Sequence, residues 1–104
     1  MVEFVRVGSL ADFPVAAAVA VDAAGTAAVV VNTGAGLFAC GRHCTHANAD
    51  LAGALISSSG EIVCPLHDAV FDPRTGACIE GPAGAPLPVY AVRVAGDDVC
   101  LGVG

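Results

Sequence analysis

Short apolar runs, separated by glycine, proline and small polar residues, make up nearly the whole chain. The first run, residues 2–7, alternates apolar and polar side chains, as a half-buried β-strand does. The later runs are of similar length, and the breaks between them carry the residues that turns prefer. The pattern predicts strands at residues 2–7, 16–21, 26–31, 37–40, 55–57, 61–63, 88–94 and 99–103.

Residues 16–31 allow a second interpretation. Their many alanines favour a helix by propensity, whereas the valines and Gly25 favour two strands. We expect a hairpin in which residues 22–25 form a four-residue connection. Further turns are predicted at residues 58–60, 73–76 and 96–98, and a broken loop at 81–86. The chain is therefore predicted to be all-β, with roughly eight to ten short strands in a small sandwich or barrel of stacked antiparallel sheets.

Composition and charge restrict the classes of partner. The chain has 104 residues, of which 56% are hydrophobic and 13% charged, so we expect one folded domain spanning 1–104. The net charge of −6 argues against nucleic acid, which requires a basic surface. The longest apolar stretch, residues 15–31, is interrupted by Asp22 and Gly25 and is too short to span a membrane. With no signal-peptide pattern visible, we expect a cytoplasmic protein.

One segment does not follow the regular alternation of predicted strands and turns. It contains Cys44 and His46 and, after a gap of 17 residues, Cys64 and His67. Each half pairs one sulfur donor with one imidazole donor, and all three histidines of the chain lie between residues 41 and 67. Two matching Cys/His pairs at short spacing are uncommon among scattered core or surface histidines. The residues predict a metal centre held by two loops.

Two metals compete for this ligand set. Zinc is typical of Cys2His2 sites, but its usual spacing places Cys with Cys and His with His on separate arms. Here each arm is mixed, which suits a binuclear cluster with two cysteines on one iron and two histidines on the other. Residue chemistry favours the cluster and leaves zinc open.

These four residues and their spacing resemble the Rieske [2Fe–2S] motif. The resemblance continues downstream and covers most of the chain from about residue 37. The downstream matches are Phe71-Asp72-Pro73-Arg74-Thr75-Gly76, Gly81-Pro82 and Pro86-Leu87. The extra, disulfide-forming cysteines of the cytochrome bc type are replaced here by Ala49 and Leu66.

The resemblance implies one [2Fe–2S] cluster, with Cys44 and Cys64 on the inner iron and His46 and His67 on the outer iron. It also implies a three-sheet β domain with the cluster at a tip formed by two loops, in a cluster-binding part of about 41–86. A proline loop at 81–86 should cover the cluster. Imidazole ligands raise the potential of such clusters to roughly −150 to +300 mV.

The function implied is that of a Rieske-type ferredoxin without catalytic residues of its own. Its partners would be an NAD(P)H-dependent reductase and the terminal oxygenase of an aromatic-ring-hydroxylating dioxygenase system, and we expect a monomer. Three alternatives stay open: a carrier for another monooxygenase, a small subunit of a nitrite reductase, and a zinc-stabilised interaction module. We expect Cys40, Cys78 and Cys100 to be small, buried and inert side chains.

Overall fold

The fold is described from a computed structural model covering residues 2–44, 49–65, 69–80 and 85–103. Over these ranges the chain forms ten strands and one short 3-10 turn at Leu10–Asp12. The strands are β1 (Glu3–Ser9), β2 (Ala17–Ala23), β3 (Thr26–Asn32), β4 (Leu37–Gly41), β5 (Leu55–Ile56), β6 (Ile62–Val63), β7 (Val70–Phe71), β8 (Cys78–Glu80), β9 (Val89–Ala95) and β10 (Asp98–Val103). The prediction of an all-β chain is confirmed. In the same ranges no helix has the length and apolar character needed to cross a bilayer.

All strand pairs are antiparallel and form two sheets. The larger sheet has six strands in the order β1-β10-β9-β4-β3-β2, and the smaller has four in the order β5-β6-β7-β8. Only two residue pairs, Ala39 with Tyr90 and Cys40 with Val89, join β4 to β9. The larger sheet therefore consists of two three-stranded halves, and it curls until its edge strands β1 and β2 are in contact. The expected three-sheet domain corresponds to these two halves together with the four-stranded sheet.

Two hydrophobic cores lie on opposite faces of β3. Val30 belongs to the core inside the curled sheet, whereas Val29 and Val31 belong to the core shared with the four-stranded sheet. All three side chains are fully buried. A strand buried on both faces needs a continuous apolar run rather than an alternating one, which explains the valines of β3.

The predicted hairpin of β2 and β3 is present, and the helical alternative is wrong. Its connection is shorter than expected, because Ala23 pairs with Thr26 and only Ala24 and Gly25 remain between the strands. Both have positive φ, 52° and 88°, as a two-residue type I′ turn requires. The side chain of Asp22 accepts a hydrogen bond from the Gly25 amide at 2.8 Å and stabilises the turn.

Candidate metal centre

Two loops of equal length begin at the two predicted cysteine ligands. The Cys44 amide donates to the carbonyl of Ala49 at 2.8 Å, and the Cys64 amide donates to the carbonyl of Ala69 at 2.7 Å. Each loop is therefore closed at its base by the same backbone hydrogen bond, from the cysteine to the residue five positions later. The sequence spacing of the two Cys/His pairs gave no sign of this shared closure.

Both cysteines are buried in the core that the larger sheet shares with the four-stranded sheet. Cys44 is 1% exposed and Cys64 is 0% exposed, and both belong to the same cluster of buried residues. Both are free thiols. Two buried sulfur donors without a disulfide partner, at the bases of equivalent loops, fit a metal centre that is shielded from water on its protein side.

The other two predicted ligands, His46 and His67, lie outside the described residues. The described part of the chain therefore contains half of the predicted ligand set, and no group of three or more metal-binding side chains is found within it. The structure places Cys44 and Cys64 in the same hydrophobic core.

The stem of the first loop carries a salt bridge. The guanidinium of Arg42 donates to both carboxylate oxygens of Asp50, from Nε at 2.9 Å and from Nη2 at 2.8 Å. This cation, together with the Ala52 amide that also donates to Asp50, holds the pKa of the carboxyl well below its usual range. Asp50 is therefore a charged residue of the stem at all physiological pH values.

The segment that follows the predicted proline loop is attached to both halves of the site. The Leu87 amide donates to the carbonyl of Gly76 at 2.7 Å, and the Gly41 amide donates to the carbonyl of Pro88 at 2.9 Å. Leu87 is 2% exposed and packs in the core that holds Cys44 and Cys64. Residues 81–84 of the predicted loop itself lie outside the described part.

The three remaining cysteines differ in burial. Cys40 is fully buried, and burial raises the pKa of its thiol to about 12, so it stays protonated. Cys78 and Cys100 are only half-buried, which corrects the expectation that all three are buried. Cys78 donates a weak hydrogen bond to the carbonyl of Glu80, with sulfur and oxygen 3.4 Å apart.

A small double-cored β domain, with two buried cysteines that share one core and each begin a loop, suits a protein that holds a metal cluster. The chain belongs to the Rieske [2Fe–2S] domain family, whose model matches residues 3–91. This membership implies a [2Fe–2S] cluster and decides against the zinc interpretation.

Three relatives illustrate the similarity. The chain is 33% identical over 92 residues to the 3-phenylpropionate/cinnamic acid dioxygenase ferredoxin subunit of Escherichia coli (strain K12), covering 88% of this chain and 86% of that protein. It is 34% identical to the ferredoxin of carbazole 1,9a-dioxygenase from Nocardioides aromaticivorans IC177, with a TM-score of 0.88 over 94% of this chain and 95% of that one. It is 26% identical to a chain in a complex of reduced oxygenase and oxidized ferredoxin in carbazole 1,9a-dioxygenase, with a TM-score of 0.85 and coverage of 94% and 91%.

Proposed function

We propose that this protein is a one-electron carrier between an NAD(P)H-dependent reductase and the terminal oxygenase of an aromatic-ring-hydroxylating dioxygenase system. The observation that carries the proposal is the match to dioxygenase ferredoxins over nearly the whole of both chains. The solved ferredoxin–oxygenase complex of a relative supports the oxygenase as one partner. In this system the oxidation of the substrate belongs to the oxygenase, so no catalytic residue is assigned to this chain. We propose a single domain of residues 1–104 that acts as a cytoplasmic monomer.

The proposed ligands are Cys44 and Cys64 on one iron and His46 and His67 on the other. The burial of both thiols in one core and the equivalent closure of their loops support the cysteine half of this set. When bound, the cluster supplies reversible one-electron chemistry at a potential raised by its imidazole ligands.

The described residues would contribute shielding and position. Leu51 and Leu87 are buried in the same core as both cysteines and would limit water access from the protein side. Because solvent access and hydrogen bonding set the potential of such a centre, these contacts would tune it. The amides of Cys44 and Cys64 already donate to Ala49 and Ala69, so hydrogen bonds to the cluster would come from other donors.

The ligand assignment is tested by cysteine substitution. Cys44→Ser and Cys64→Ser should each abolish a stable cluster, measured as iron and acid-labile sulfide per chain and by electron paramagnetic resonance of the reduced protein. Cys100→Ser is the matched control, because Cys100 lies on β10 in the other half of the larger sheet. A full cluster in the Cys64→Ser protein would contradict the assignment.

The carrier role is tested by reconstitution. The purified protein, chemically reduced, is mixed with the terminal oxygenase of an aromatic-ring dioxygenase system, and its reoxidation is followed by stopped-flow absorbance. Addition of NADH and the reductase should then give substrate hydroxylation that requires this protein and is lost with Cys64→Ser. Reoxidation by the catalytic subunit of a nitrite reductase or by another monooxygenase, without reaction at the dioxygenase, would favour the alternative partners.

A further inference from the structure

The stem of the first loop is an irregular pair of short segments outside the main strands. Three backbone contacts join its two sides. The Cys44 amide donates to Ala49 at 2.8 Å, His43 forms an isolated β-bridge with Asp50, and the Leu51 amide donates to the carbonyl of Arg42 at 2.7 Å. Across this stem lies the two-point salt bridge between Arg42 and Asp50.

The stem of the second loop is built differently. Cys64 and Ala69 directly follow and precede β6 and β7, which pair Val63 with Val70 and continue into a third strand, β8. No salt bridge joins β6 to β7 in the part of the chain that the structure describes. The second loop therefore has a sheet beneath it, whereas the first depends on a short stem and one ion pair.

Asp50 also links this stem to the larger sheet. Its Oδ1 accepts the Ala52 amide at 2.9 Å, and the next amide, that of Gly53, donates to the carbonyl of Ala18 on β2 at 2.8 Å. Arg42 follows β4 directly, so the salt bridge closes a path of contacts from β4 through Asp50 to β2. Both ends of this path lie in the three-stranded half formed by β2, β3 and β4.

We infer that the Arg42–Asp50 salt bridge is the positioning element of the stem that carries Cys44, and that it holds this stem in place on the larger sheet. The inference rests on the proposed ligand set, because it is the placement of Cys44 that the pair would control. Arg42 and Asp50 are positioning residues, since neither is proposed to touch the cluster. Their side chains are 36% and 47% exposed, so the effect is that of a surface pair with favourable two-point geometry.

Two substitutions that change the net charge in opposite directions distinguish an effect on the placement of Cys44 from a direct effect of charge on the cluster. Arg42→Met removes a positive charge and Asp50→Asn removes a negative one, and Asn keeps an oxygen that can accept the Ala52 amide. Arg6→Met is the matched control, because Arg6 forms an ion pair of 2.8 Å with Asp98 on the other half of the sheet. Arg42→Lys keeps the positive charge but has a single hydrogen-bonding group in place of the guanidinium. It replaces Arg42→Met in the experiment if that variant folds poorly.

The first readout is amide hydrogen exchange of the cluster-containing protein, resolved to single residues by fragmentation mass spectrometry. Exchange at Cys44 and Leu51 should rise about two- to fivefold in both Arg42→Met and Asp50→Asn, and less in Arg42→Lys. Exchange at Cys64 should not change. Arg6→Met should leave all three amides as they are.

The second readout is the cluster itself. The rate of cluster loss to an iron chelator should rise by a similar factor in both variants, with the same change in the shape of the paramagnetic resonance signal. The reduction potential should shift in opposite directions, because the two variants change the charge in opposite senses. Unchanged exchange at Cys44 in both variants, or equal increases at Cys44 and Cys64, would overturn the inference. If Cys44→Ser retains the cluster, the ligand set fails while the exchange result still reports on the stem.

Discussion

Gly76 is the position where one added methyl group should do most damage to the site. Its φ is +78°, its amide donates to the carbonyl of Asp72 at 2.7 Å, and its carbonyl accepts the Leu87 amide at 2.7 Å. A Cβ at this position would overlap the carbonyl oxygen of Leu87 and lie 3.1 Å from a methyl group of Val89. Because the Leu87 carbonyl is backbone, it cannot rotate away, and the segment entering β9 must shift.

The size of the effect in Gly76→Ala follows from two contributions. The left-handed backbone costs about 1–2 kcal/mol for a residue with a Cβ. Overlap in a packed region typically costs a further 1–3 kcal/mol or so, since side chains and backbone must move. The free energy of unfolding should therefore fall by about 2–5 kcal/mol.

Gly96→Ala is the control for this prediction. Gly96 has a φ of +63°, in the turn between β9 and β10, and a Cβ there would meet nothing within 4 Å. Its cost should be the backbone contribution alone, about 1–2 kcal/mol. Urea unfolding followed by circular dichroism measures both losses, and the visible absorbance of the cluster shows whether Gly76→Ala also releases iron earlier. Equal losses for the two variants, within the error of extrapolation, would refute the argument from the Leu87 carbonyl.

Three further outcomes are expected from burial, charge and packing. The thiol of Cys40 has a pKa of about 12 in the folded protein, compared with an ordinary value of 9.0. The stability that the buried, neutral thiol contributes is therefore complete below pH 9.0 and is lost as the pH rises towards 12. At about pH 10.5 the loss should be about 2 kcal/mol, and urea unfolding of Cys40→Ala should show a correspondingly flatter alkaline dependence. Gly102→Ala should destabilise the fold by about 1–3 kcal/mol in the same assay, because its Cβ would lie 2.7 Å from a methyl group of Val2 and 3.2 Å from the ring of Phe4; a neutral result would contradict this. Phe71→Ala should cost about 3–5 kcal/mol since Phe71 is fully buried, whereas Leu55→Ala, at a side chain 76% exposed, should cost far less.

Much of the fold follows from local sequence, and the four proposed ligands are a prediction from the same source. The alternation in β1 and the valines of β3 indicate extended chain, because side chains on a strand must match the environment of each face. Gly25 marks the turn between β2 and β3 because it adopts a positive φ without steric cost. The two Cys/His pairs indicate the family because donor type and spacing are properties of the chain itself.

The tertiary structure decided which segments meet. Strands β7 and β8 have two and three residues, too few for a periodic pattern, and they form because β6 offers a pairing edge to β7 and β7 offers one to β8. The junction of β4 with β9 joins segments about fifty residues apart in sequence through only two pairs, which no local signal encodes. No local sequence pattern encodes the contacts of Gly76 with Leu87 and of Arg42 with Asp50 either. A hydrophobic pattern states which side chains must leave water, but their partners are chosen by how the whole chain packs.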